Sequence, residues 1–205
     1  MNLLPLVFSS GWASGVNAYL VVLVLGLADR FGTFSQIPDS LGRTDVLIAA
    51  GLLYAIEFVT DKIPYLDSTW DAISTFIRPT VGAIIALLVS GDATSLQQAG
   101  YAVLGGGTAL ASHTIKAGSR LAINASPEPF SNIGASLGED VTVIGIVVLA
   151  IHHPWVAGGI SAVLLILGAI LLVHLSRMAR RGWRRWKGRP PPPEKTAARG
   201  SAAPL

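Results

Sequence analysis

The chain has 205 residues, 51% of them hydrophobic and only 13% charged, with a mean hydropathy of +0.57 and a net charge of +3, where a soluble domain carries roughly 25% charged residues. That balance excludes an ordinary water-soluble globule and indicates an all-α, polytopic membrane protein. Cysteine is absent, which excludes disulfides, thiolate metal sites and a cysteine nucleophile.

A membrane-crossing helix needs about 20 apolar residues, and six candidate stretches follow in chain order. The first runs from about Leu6 to Ala28; the residues before it lack the basic region of a signal peptide and are read as part of the same helix. The second runs from about Val46 to Thr60. The third, Thr80 to Ser90, is short and follows an amphipathic stretch, Thr69 to Arg78; Pro79 lacks an amide donor and is expected to break this span. The fourth runs from about Gln98 to Ile123, the fifth from Asn132 to Ile151 and the sixth from Trp155 to Leu175. A transmembrane domain over 1–176 is followed by a tail, 177–205. Seven basic residues crowd into its opening stretch, Arg177 to Arg189, and the prolines from Pro190 to Pro193 open an end expected to be disordered.

In that tail Arg180, Arg181, Arg184 and Arg185 interleave with Trp183 and Trp186. Directly after a membrane helix, this pattern fits anionic lipid headgroups better than nucleic acid. Basic segments stay in the cytoplasm, so six spans would put both chain ends on the cytoplasmic side, with Lys62, Arg78, Lys116 and Arg120. Only Arg30 and Arg43 oppose this. Faint similarities between the first and second groups of three spans suggest a 3+3 inverted repeat, an arrangement of secondary transporters.

The polar residues inside the spans carry the functional signal. Glu139 and Asp140 lie side by side near the middle of the fifth stretch, and one acid at the centre of a membrane helix costs about 2.5–3.5 kcal/mol. Tyr54, Glu57 and Asp61 share one face of the second span at i, i+3 and i+7, and His113, Lys116 and Arg120 share one face of the fourth. In the first span Ser10, Ser14 and Asn17 line one side, and Gly11 and Gly15 offer a close-packing face. Gly134, Gly138 and Thr142 form a small-residue series on the fifth.

Two readings stand side by side. In one, acidic and basic faces neutralise each other inside the bundle as structural ion pairs. In the other, they line a polar path on which Glu139 and Asp140 act as a coupled carboxyl pair holding one proton. Asp61, Lys62 and Arg120 lie near helix ends, where snorkelling to the interface is the simpler reading. His152 and His153 lack the i, i+3 or i, i+4 spacing of helical metal ligands and are read as interfacial.

Four strings in order, GWASGVNAYL, EFVTDKIPYLDSTWDAISTFIRP, HTIKAGSRLAINASPEPFSN and SLGED, carry a resemblance over about Gly11 to Pro154. The chain resembles a bacterial family of multi-pass membrane proteins catalogued as domain of unknown function 4126. The resemblance implies a helical membrane domain in a bacterial inner membrane and no particular activity. On the charges, the leading expectation is a small transporter or channel for an ion or polar solute. Its path would be lined by Ser14, Asn17, Glu57, His113, Lys116, Glu139 and Asp140, with Lys116 and His113 available to an anionic group. The alternative is a non-transporting scaffold or assembly partner. No HExxH or GxSxG occurs and no enzyme activity, metal or cofactor is expected; a homo-oligomer is compatible with the sequence.

Overall fold

A computed structural model describes residues 3–32, 34, 37–63, 65–124 and 129–187. Six helices follow in order: α1 (Leu3–Phe31), α2 (Thr44–Thr60), α3 (Leu66–Ser90), α4 (Ser95–Ile123), α5 (Pro129–His152) and α6 (Pro154–Lys187). The described residues contain no strand. By length and composition α1, α3, α5 and α6 can each cross a membrane. The protein is therefore an all-α helical bundle of multi-pass membrane type. The end beyond Lys187, including Pro190 to Pro193, lies outside the described residues, as do the side chains of Arg184, Arg185 and Trp186.

α1 is central, packing against all five other helices, and it does not run straight. Leu6 packs with Ala150 and Ala157, and Pro5 lies against Gly158. Asn17 then bonds Asp140, so the chain has moved from the level of Ala150 to that of Asp140, about 15 Å along α5 at 1.5 Å per residue. Yet Phe34, just beyond α1, stacks edge-on against His152. A straight helix would have carried it roughly 40 Å from Leu6. α1 is thus a re-entrant hairpin. One half-helix, 3–16, runs into the bundle, and a second, 18–31, returns to the same end.

The two halves meet at Asn17, whose backbone (φ −152°, ψ 97°) is extended. Its side-chain Oδ1 accepts from the Leu20 amide at 3.0 Å, the bond an N-cap residue makes to the third amide of the helix it starts. Each half is about 21 Å long, short of the roughly 30 Å hydrocarbon core.

The remaining helices alternate in direction. α2 starts beside the returning half, with Leu47 near Gly26, and ends with Asp61 bonded to Lys116 near the end of α4. α3 and α4 are antiparallel, since Gly82 meets Gly105 while Thr75 meets His113. α6 runs alongside α4, with Gly168 against Ile115 and Leu172 against Gly118. The start of α1 and the tail after α6 therefore lie at opposite ends of the bundle. The expectation of both ends in the cytoplasm counts the first apolar stretch as one full crossing; in the bundle that stretch turns back at Asn17.

Three further expectations change. α3 is one helix through Pro79, not a broken span; a proline is tolerated where neighbouring helices hold the freed backbone, and α4 packs along the length of α3. The packing has no 3+3 symmetry: α1 and α5 pack closely, whereas their repeat counterparts α4 and α2 meet chiefly through charged side chains. The glycine face used for close approach is on α1 as expected, where a Cβ on Gly11 would strike Gly105 and Thr108 of α4, but Gly134 and Gly138 of α5 have open space around them. α6 presents apolar side chains outward, among them Val163, Ile166, Leu167 and Ile170, as lipid contact requires.

The cysteine-free background allows a direct check of this topology. Single cysteines at the exposed positions Leu4 and Met178 are expected to react with an impermeant thiol reagent from opposite faces of sealed vesicles. Reaction from one face would contradict the re-entrant α1.

Candidate functional site

Ending a helix inside the bundle leaves its last carbonyls without intrahelical partners, and at the α1 break two cations meet them. Arg78 of α3 donates to the Gly15 carbonyl at 3.2 Å, and Lys116 of α4 donates to the Val16 carbonyl at 3.0 Å. Positive charge there also suits the negative end of the helix dipole. On the other side of the break, the Asn17 amide donates to Asp140 Oδ1 at 3.0 Å, and the Tyr54 hydroxyl donates to its Oδ2 at 3.2 Å.

The same two cations hold carboxylates. Arg78 pairs with Glu57 at 2.6 Å and Asp71 at 3.2 Å, its side chain 1% exposed. Lys116 pairs with Asp61 at 2.7 Å and lies 3.4 Å from Glu139 and 3.6 Å from Glu57. Arg120 pairs with Glu139 at 2.6 Å and bonds the Asp61 carbonyl and Asn132 Oδ1. Asp67 accepts from Asn124 and Asn132 and closes the cluster where α2, α3, α4 and α5 converge. Polar contacts run from the α1 break to that end of the bundle.

All seven expected path residues fall in this cluster, with changed roles. Glu139 and Asp140 are not a coupled pair: their side chains diverge from α5, Glu139 toward Arg120 and Lys116, Asp140 toward Asn17 and Tyr54. His113 does not serve an anion. Arg78 can only donate, so the 2.8 Å contact makes His113 Nδ1 an acceptor, and Nε2 carries the proton toward Thr75 Oγ1 at 3.0 Å. The ring is held neutral. Lys116 donates to the Val16 carbonyl and Asp61 and pairs with Glu139 within the cluster. Ser14 donates to the Arg78 carbonyl at 3.2 Å.

Asp61 and Arg120, expected to snorkel, are buried members of the network. Arg78, Lys116 and Arg120 are likewise interior, so of the four cations read as cytoplasmic Lys62 alone is part-exposed; it sits over the Phe58 ring. Asp71 is not singled out by the sequence and Arg78 reads there only as a loop cation, though Asp67, Asp71, Ser74 and Arg78 fall on one α3 face at helical spacing. His152 donates from Nδ1 to the Val148 carbonyl at 2.9 Å.

Among the described residues the cluster holds six carboxyls, Glu57, Asp61, Asp67, Asp71, Glu139 and Asp140, and three cations, Arg78, Lys116 and Arg120. Five of the six acids have a cation within 4 Å; Asp140 has none among the described residues. Glu57 Oε2, Asp61 Oδ1 and the Ser74 hydroxyl are buried without a hydrogen-bond partner among the described residues. Carboxyls in excess of cations inside a bundle require protons or cations from outside.

The chain belongs to the family described as Domain of unknown function (DUF4126), whose model matches residues 4–174. Neither the curated proteins nor the solved structures contain a match. The family match ends just before the basic run that opens at Arg177.

Replacing Arg78 with Met would leave Glu57 and Asp71 buried without their partner. Such a break costs about 3–5 kcal/mol, and unfolding in detergent is expected to show a loss of that size. Adding Glu57→Gln should recover part of it; no recovery would mean the pair is not coupled.

Proposed function

We propose that this membrane protein is a small transporter or channel whose polar path is the cluster around the α1 break, with protons as the species that balance its excess carboxyls. The observation that carries the reading is a helix interrupted inside the bundle, with its freed ends directed at an acid-rich cluster. Discontinuous helices of this kind form the binding sites of many secondary transporters, because half-helix ends and unwound backbone bind ions without a dedicated side chain.

Asp140 is the carboxyl on which we place the mobile proton. Its neighbours on α1 and α2, Asn17 and Tyr54, are neutral donors, whereas Glu57, Asp61, Asp71 and Glu139 are each held by Arg or Lys. The Asn17 bond survives protonation of the opposite oxygen, and the Tyr54 hydroxyl can then accept instead of donate. The site thus accommodates both states without rearrangement of helices.

In this reading the basic run after α6 lies at the cytoplasmic face of a bacterial inner membrane, against anionic lipid, and the start of α1 on the far side; the charge pattern supports it. α6 has 34 residues, about 51 Å, which exceeds a roughly 30 Å core and projects Arg180, Arg181 and Trp183 toward headgroups.

The scaffold reading keeps one specific support: Arg78 and Lys116 cap the α1 break as well as pairing acids, a structural task in itself. Proton flux separates the two. Proteoliposomes loaded with a pH-sensitive dye are expected to acidify under an imposed gradient. Asp140→Asn, which keeps shape and the Asn17 contact, should slow this at least about tenfold, or roughly 1.4 kcal/mol of barrier, without loss of folding. Flux in the wild type no faster than in empty liposomes would leave the scaffold.

A further inference from the structure

A cleft of about 440 Å³ opens between α4 and α5, with α1 and α6 as its other walls. Trp12, Ile115 and Leu164 make its apolar sides, and Glu139 lies in its polar lining. α4 and α5 scarcely pack together and are joined beside the cleft by the Arg120–Glu139 pair. Within the ion-pair cluster, the Glu139 side chain stands out at 23% exposed, against 4% or less for the side chains paired around it.

The directions of the hydroxyls in the lining restrict what this space can accept. Ser119 donates its hydroxyl proton to the Ile115 carbonyl at 2.8 Å, and Thr142 donates to the Gly138 carbonyl at 2.6 Å. Ser112 donates to the Trp12 carbonyl at 2.7 Å. These hydroxyls have only lone pairs left for a ligand. Lys116 also borders the cleft, but it donates to the Val16 carbonyl and to Asp61 and lies in ion-pair range of Glu139 and Glu57, so its charge is already matched. Glu139 is an acceptor. The side chains of the lining that carry hydroxyl or charge offer a ligand acceptors and no free cation.

We infer that this cleft binds an amphipathic organic cation, a protonated amine with an apolar body of roughly alkyl or single-ring size, its head on Glu139, Ser119 and Thr142 and its body against Trp12 and Leu164. An anion of the same size would meet hydroxyl lone pairs and the Glu139 carboxylate. The volume lies within the range of small-molecule sites, about 300–1,000 Å³. The site names a solute class for the transport reading and rests on that reading only in calling the ligand a transported one; the binding itself stands apart.

Photolabelling tests it in the reconstituted full chain, using octylammonium and octanoate probes that carry the same aliphatic diazirine, with labelled peptides located by mass spectrometry. The ammonium probe is expected to label the α4 and α5 segments that line the cleft about tenfold more than the carboxylate probe, roughly 1.4 kcal/mol of preference. Glu139→Gln should remove that preference. Because it also weakens the Arg120 pair, Gly138→Leu provides a second variant: Gly138 lines the cleft and has no heavy atom within 4 Å of an added Cβ, so leucine fills the space and should abolish cleft labelling. Equal labelling by both probes, labelling confined to the outer face of α6, or labelling that survives Gly138→Leu overturns the assignment. Flux is measured separately, so binding without transport, or transport without cleft labelling, identifies which of the two readings has failed.

Discussion

A helix that ends inside an apolar bundle leaves carbonyl groups that neither water nor the next turn can satisfy, and an unsatisfied backbone group in such surroundings costs several kcal/mol. In this protein the cost at Asn17 is met by Arg78 and Lys116, which donate to Gly15 and Val16. Once those cations are committed to the interior, acids must follow them. Glu57, Asp61, Asp71 and Glu139 surround the two, and Arg120 extends the set toward the end where α2 to α5 meet. The break in α1 and the charged cluster are therefore one construction. Removing either would leave the other with buried groups lacking partners.

This dependence also explains why the pairs alone do not account for the cluster. Capping two carbonyls and neutralising the cations would need three acids, whereas six are present among the described residues. Buried ion pairs bring little net stability over apolar packing of the same volume, and a lone carboxyl bound by Asn17 and Tyr54 brings less. Of the acids in excess, Asp140 is the one with no cation within 4 Å among the described residues; it lies halfway along α5 at the level of the helix break. A site that holds charge on both sides of a helix interruption is suited to a mobile proton, and the acceptor-lined cleft at Glu139 lies one residue away on the adjoining face of the same helix.

Much of this was legible in the residues. The membrane class and the limits of α2, α4 and α5 follow from apolar runs and their turns, and the acidic face of Glu57 and Asp61 does meet the basic face of Lys116 and Arg120, as the i, i+3, i+7 spacings imply. What the pattern concealed has physical causes. The first apolar stretch is long enough to cross, and hydropathy does not distinguish one crossing from a hairpin; the signal was Asn17, polar in mid-stretch and a capping residue type, which read instead as part of a polar lining. Pro79 drew attention as a helix breaker and so hid the α3 stripe of Asp67, Asp71 and Arg78, because a neighbouring helix can hold a proline-bearing helix together. Adjacent residues on a helix point about 100° apart, so Glu139 and Asp140 could be neighbours in sequence and still serve different partners. Asp61 and Arg120 looked peripheral because they sit near helix ends, yet those ends turn inward to each other.

The fold of α1 decides the account, and the distance between its two ends measures it. Spin labels at Leu4 and Phe31, both exposed, would stand roughly 40 Å apart on a straight helix of this length. Half-helices packed side by side at about 8–10 Å between axes bring the two labels to the same end of the bundle, and a pulsed dipolar measurement on the reconstituted protein is expected to give a short distance, roughly 10–20 Å with the label linkers. A distribution centred near the straight-helix value would show that α1 crosses unbroken, and the cation-capped break, the mobile proton on Asp140 and the opposite placement of the chain ends would fall together.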